Sequence, residues 1–228
     1  MRAAAGAGRK RRTYASRVPP DERRTQLLDA ALHLVVSKGH QGATMDAVAE
    51  QAGVTKPVVY GVFANRVELL AALLRREQEQ ALRQLLAVLP ADLDRQPPAD
   101  LGAALAGVLD NFLRVVREAP DRWHCIVMPM SDMPAEFHAA RERGRAVVLD
   151  RAVVIARWVF GSLDTPASVD PEIAAHGVIA LFEMAARLVL TDPEHFHPGR
   201  FGHAVRAASG LGPARLSSPG PGPGRSNV

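Results

Sequence analysis

Apolar residues recur every three or four positions along most of the chain, the spacing of α-helices that each bury one face. Between Pro20 and Lys38, Leu27, Leu28, Ala31, Leu32, Val35 and Val36 share a side, and Gly39 supplies a stop. A short helix is predicted from Thr44 to just before Gly53. Another follows Thr55, with Pro57 in its first turn, and ends near Phe63. Asn65 and Glu68 form an N-x-x-E start for a long helix carrying Leu69, Leu70, Leu73, Leu74, Leu82, Leu85, Leu86 and Leu89, which Pro90 stops. Further helices are expected over about 101–118, from Pro134 to Phe160, from Pro171 to near Thr191 and over 200–209. A short helix or turn should occupy 123–130. The fold class is therefore all-α: three N-terminal helices with a helix-turn-helix, then a larger helical C-terminal domain.

The two ends break this pattern. Residues 1–18 are Ala, Gly, Arg and Lys without an apolar period, and read as a flexible basic arm. Residues 210–228 are rich in Gly, Pro and Ser and read as a disordered tail. The organisation expected is a basic arm over 1–18, a helix-turn-helix domain over 19–66, a helical ligand-binding and dimerisation domain over 67–209, and the tail.

Composition narrows the function classes. Hydrophobic residues make up 47% of the 228 positions, enough for a real core, while aromatics are only 5%, so Leu, Val and Ala must fill it. Eight of the 28 Lys and Arg but only two of the 24 Asp and Glu fall within residues 1–24. That segment carries a formal +6 and the remainder −2, which suits a polyanionic partner or a merely solvated tail. Cys125 is the only cysteine, which excludes an internal disulfide and a multi-thiolate zinc cluster. No run of 18 apolar residues and no apolar stretch behind the basic N-terminus are found, so neither a membrane span nor a secretory signal is expected. A cytoplasmic protein follows as the expectation.

Residues 44–63 carry the chemistry. Val48, Ala49 and Ala52 give a small apolar face, Gly53 permits a tight turn, Val54 can plug the gap and Thr55 can cap the next helix. Small packing residues let two helices cross steeply, so that the second can enter a DNA major groove. Thr44 and Thr55 stand at helix N-termini, which favour phosphate. Lys56 lies at the tip of the second helix, and Pro57 offers an apolar surface to a thymine methyl. Tyr60 sits one turn on, and Arg66 opens the next helix within reach of the flanking backbone. Arg11 and Arg12, in the arm, suit a neighbouring minor groove.

From about residue 22 to 75 the chain resembles the TetR family of bacterial regulators. The resemblance rests on the helix from Arg23 to Lys38, then Gly39, Thr44, Val48-Ala49, Ala52-Gly53-Val54-Thr55, Tyr60, Phe63, Asn65-Arg66 and Leu69-Leu70. It implies that Thr44, Thr55, Lys56 and Tyr60 contact phosphates while Pro57 and its neighbours, including Val58, face the bases. His40 stands where the family usually has an aromatic ring. Val62 stands where His or Tyr commonly donates to phosphate, which leaves that backbone contact without its usual donor. For the C-terminal region the resemblance implies architecture only: dimerisation and a ligand pocket.

Gly177, Ala180 and Ala185 among large apolar residues assign the helix from Pro171 to a dimer bundle, with the last short helix beside it. Two recognition helices in a homodimer would read a near-palindromic operator in double-stranded DNA. Phe112, Trp123, Cys125, Met128, Phe137 and Trp158 are candidates either for the wall of a pocket taking a small, largely apolar ligand or for ordinary core. No cofactor is implied. Asp192, Glu194, His195 and His197 lie in a Pro-flanked stretch, without the i, i+4 pair of a helical zinc site. Cys125 follows His124 directly, and adjacent helical residues do not face each other. The leading expectation is a ligand-released repressor and not an enzyme. Its rivals are a ligand-independent regulator or activator and, remotely, a helical enzyme.

Overall fold

A computed structural model describes residues 19–90, 97–129, 134–162 and 169–210. Arg11 and Arg12, the basic arm and the tail beyond Gly210 lie outside them. The described residues form an all-α fold in chain order: α1 (Pro20–Gly42), α2 (Met45–Gln51), α3 (Lys56–Tyr60), α4 (Arg66–Ala87), α5 (Leu101–Glu118), α6 (Pro120–Val127), α7 (Ala135–Ser162), α8 (Pro171–Thr191) and α9 (Pro198–Gly210).

Local chemistry sets most of these ends. Pro20 opens α1 with Asp21 and Glu22 in its first turn, where acidic side chains favour the helix dipole. Gly39 breaks α1 at φ 70°, a left-handed conformation open to glycine at little cost. Thr44 caps α2, its hydroxyl accepting from the Ala47 N–H at 3.1 Å. Asn65 caps α4 by accepting from the Glu68 N–H at 2.9 Å. Glu68 reaches back to the Ala64 N–H at 2.8 Å, one residue before the position of a regular capping box. Asp170 caps α8 by accepting from Glu172 and Ile173.

Two hydrophobic clusters make the core. The first joins α1, α2 and α3 to the first half of α4 through Leu27, Leu34, Val48, Val59, Phe63 and Leu69, and also takes in Phe137 of α7. The second joins Ala81 of α4 to α5, α6 and α8 through Leu109, Phe112, Trp123, Phe182 and Val189. Helix α4 thus belongs to both. Between the two clusters Glu77 is fully buried on α4, and Arg76 and Arg122 hold its oxygens at 2.6 and 3.0 Å. Arg76 also pairs with Asp29 of α1 at 2.7 Å, so the network links α1, α4 and α6.

Helix α8 is long and apolar enough, by length and composition, to cross a membrane, which counting uninterrupted apolar runs misses because polar residues punctuate it. Here it packs on α5, α6 and α7 with Ala185, Ala186 and Val189 buried. Ile173 and Met184 remain 68% and 42% exposed on it.

Candidate functional site

The turn between α2 and α3 is built as its residues demand. Gly53 takes φ 64°, the conformation that turns the chain between the helices. Val54 packs half-buried against the first cluster. The Gln26 side chain donates to the Ala52 carbonyl at 2.7 Å, fastening the end of α2 to α1. The Arg24 guanidinium lies over the Phe63 ring at 4.6 Å.

Helix α3 buries a single residue, Val59, and turns the rest outward. Thr55, Lys56, Pro57, Val58 and Tyr60 are all exposed. Thr55 stands at the N-cap position, but its side chain makes no capping hydrogen bond, unlike Thr44. The expected cap is therefore absent at this exposed residue. Lys56 Nζ is 2.7 Å from the Asp46 carboxylate of α2 and 6.0 Å from the centre of the Tyr60 ring. The hydrogen bond and the charge of Asp46 raise its pKa above the usual lysine value. Thr44, Lys56 and Tyr60 are exposed together along α2 and α3.

Arg66 departs from expectation. Its guanidinium donates to the carbonyls of Ala43 and His40, at 3.0 and 2.5 Å, and is half-buried. Those carbonyls lie where the chain leaves α1, so Arg66 ties the α1–α2 corner to the head of α4 rather than standing free for a phosphate.

The six aromatic and sulfur positions separate. Phe112 and Trp123 line a cavity of 370 Å³ among α4, α5, α6, α7 and α8. Their rings meet edge to face with centroids 4.9 Å apart, and Phe182 stands 5.1 Å from Phe112. Cys125 and Phe137 instead border a separate 30 Å³ void with Val35, His40 and Leu70, big enough for a water and little more. The helical period explains this, because Trp123, Ile126 and Val127 share a face of α6 that Cys125 does not. Met128 sits beyond the end of α6 in extended backbone and packs half-buried on the second cluster. Trp158 lies about 15 Å further along α7 than the stretch from Arg145 to Val148 that walls the cavity.

Sequence reasoning missed Phe182, Ile179 and the arginines of the wall, Arg141, Arg145 and Arg187. A carboxylate on the apolar stripe of α4, Glu77, was also legible in principle, since it lies three and four residues after Leu74 and Leu73 beside Arg76. Burial pushes the Cys125 thiol up to about 12, and burial lowers the pKa of His124. Neither is poised as a nucleophile and base pair. Among the described residues no group of three or more His, Cys, Asp and Glu could hold a metal ion. The His195 ring instead meets Arg200 at 3.0 Å, and the His195 backbone N–H donates to the Asp192 carboxylate.

Comparison with known proteins agrees with this geometry. Residues 27–73 match the model of bacterial regulatory proteins, tetR family. The HTH-type transcriptional activator FasR of Mycolicibacterium smegmatis is 49% identical over 70 residues, which cover 31% of this chain and 31% of FasR. The chain thus aligns with only about a third of that relative's length. A TetR-like transcriptional regulator from Rhodococcus sp. RHA1 has the same fold, with TM-score 0.65, 21% identity and coverage of 85% and 96% of the two chains. So does the regulator FadR from Bacillus subtilis in complex with stearoyl-CoA, with TM-score 0.64, 15% identity and coverage of 81% and 96%.

Proposed function

From the premise that the chain belongs to the TetR family of bacterial regulatory proteins, we propose that it is a homodimeric repressor released from a near-palindromic operator by a small, largely apolar ligand. The observation that carries this reading is α3. A helix that buries only Val59 and exposes Thr55, Lys56, Pro57, Val58 and Tyr60 is a presented surface, not a packing element. In this reading Thr44, Thr55, Lys56 and Tyr60 contact phosphates, and Pro57 and Val58 meet base edges. Arg11 and Arg12 reach the adjacent minor groove, and Arg66 acts indirectly by fixing the corner of the domain. Helices α8 and α9 make the dimer, using the apolar surface that Ile173 and Met184 leave open. The 370 Å³ cavity takes the ligand, in the volume range of small-molecule sites. Ligand binding favours a dimer whose two α3 helices no longer match the half-site spacing. The site of action is the cytoplasm, where the DNA is.

A second reading, an activator with the same DNA interface, is favoured by the similarity to FasR, which is named as an activator. Both readings need sequence-specific DNA binding.

The test is selection from a genomic DNA library by the full-length chain, followed by a salt titration on the best site. A near-palindrome with a slope of several phosphate contacts is expected. Sequence-independent binding that disappears on removal of residues 1–18 would overturn the assignment of α3. Reporter expression with and without the chain separates repressor from activator.

A further inference from the structure

Two hollows lie side by side along α4 and α7. The first is the 370 Å³ chamber walled by Phe112, Trp123 and Phe182. The second is a groove of 490 Å³ bordered by Val67, Ala71 and Leu74 of α4 and by Phe137 and Ala140 of α7. Gln78, Gly144 and Val147 border both, so the two share one partition. Two side chains, Gln78 and Val147, stand in that partition. Gln78 Nε2 donates to the Ala140 carbonyl at 3.0 Å, and a Cβ on residue 144 would stand 2.7 Å from that nitrogen. Glycine at 144 is what lets the Gln78 amide lie across α7. Swinging it aside costs one part-buried hydrogen bond.

Charge divides the two hollows differently. Three arginines border the chamber, and each is already engaged. Arg141 donates to the Ile126 carbonyl, Arg145 pairs with Glu183 at 2.7 Å, and Arg187 donates to the Val127 carbonyl. Glu79, Glu142 and Glu183 balance them around the same wall. Among the described residues the groove has Arg75 and Arg143 at its border and no carboxylate. Neither arginine makes a hydrogen bond or ion pair among the described residues. Among the described residues an electrically balanced apolar chamber therefore adjoins, across Gln78 and Val147, a groove bordered by two arginines.

We propose that the ligand is an elongated amphipathic anion, its apolar chain in the chamber and its anionic head at Arg75 and Arg143, with Gln78 as the gate between. The inference rests on the ligand-responsive reading above and deepens it. Burial of the chain against Phe112, Trp123 and Phe182 supplies affinity, and the paired guanidinium groups select the head. Arg75 stands on α4, the helix common to both cores, so the head group pulls directly on the element that leads back to the DNA-binding helices.

The experiment uses the purified full-length chain and its tryptophan fluorescence, because Trp123 lies in the chamber wall. The probes are dodecanoate, octanoate, dodecanol and dodecylamine, each below its micelle concentration. Dodecanoate is expected to bind more tightly than the other three. The Arg75→Ala/Arg143→Ala double variant, altered only at exposed positions, should weaken dodecanoate by roughly tenfold or more and leave dodecanol unchanged. Gly144→Val, whose added side chain fills the partition that the head group must cross, should weaken dodecanoate and spare dodecanol. Equal binding of the three dodecyl probes, a preference for the amine, or no binding of any would overturn the proposal. Release of operator DNA is measured separately. Probes that release DNA without head-group preference sink the anion site and leave ligand control standing. Dodecanoate binding in the expected pattern without DNA release supports the site and sinks ligand control.

Discussion

Lys56 is the only cation on α3, and in the free protein its Nζ rests 2.7 Å from Asp46. In the proposed complex a DNA phosphate must compete with that carboxylate for it. The hydrogen bond to Asp46 and its charge also raise the lysine pKa. Lys56→Ala is expected to weaken operator and non-operator DNA alike and to lower the salt slope by about one. Asp46→Asn should do the reverse, tightening binding at low salt, and both are read by fluorescence anisotropy over a salt series. Cys125 illustrates the opposite environment. Its thiol is buried and raised to about 12, chiefly by desolvation, so almost no thiolate exists at neutral pH. Iodoacetamide at pH 7.5 should leave the native chain unmodified over hours and alkylate it promptly in urea, as intact mass will tell. Rapid native alkylation would place the thiol elsewhere than against Val35, Leu70 and Phe137.

At the scale of elements, Glu77 is the most consequential side chain on α4. It is fully buried and satisfied by two arginines, one from its own helix and one from α6. Glu77→Ala leaves Arg76 and Arg122 facing each other without the carboxylate, and should cost about 3 kcal/mol of unfolding free energy by urea denaturation. The helices themselves were legible because their punctuation is chemical: Gly39, Thr44, Gly53, Asn65 and Asp170 each sit where the backbone needs that residue. What sequence could not resolve is which way a side chain turns once helices pack. Thr55 looks like Thr44 in the sequence, yet only Thr44 closes its cap. Arg66 looks like an exposed cation and instead satisfies two carbonyls. Of the six proposed wall residues only Phe112 and Trp123 line the chamber, since membership depends on how α4, α5, α6, α7 and α8 are rotated about their axes. Helical spacing alone does not set those rotations against one another.

For the whole molecule, it is the proposed dimer that turns one short helix into a reader of operators. Helix α3 has five residues and reaches only a few base pairs, so specificity depends on two copies held at a fixed spacing. The apolar residues left open on α8 are where the proposed dimer would make its contact. Ile173→Glu/Met184→Glu should give a monomer by analytical ultracentrifugation, with operator affinity lowered about a hundredfold or more as the second half-site is lost. A dimer that survives the change would move the interface off this face. The sharing of α4 between both cores has a further consequence for anyone who would recombine such proteins. Leu69, Leu70, Ala72, Leu73 and Leu74 seal the first core, and Phe137 of α7 reaches into it as well. A graft cut at the head of α4 would strip that core of one wall. The workable seam for a chimaera runs beyond Leu74, and the donor sensor must bring an aromatic ring of its own to the place of Phe137.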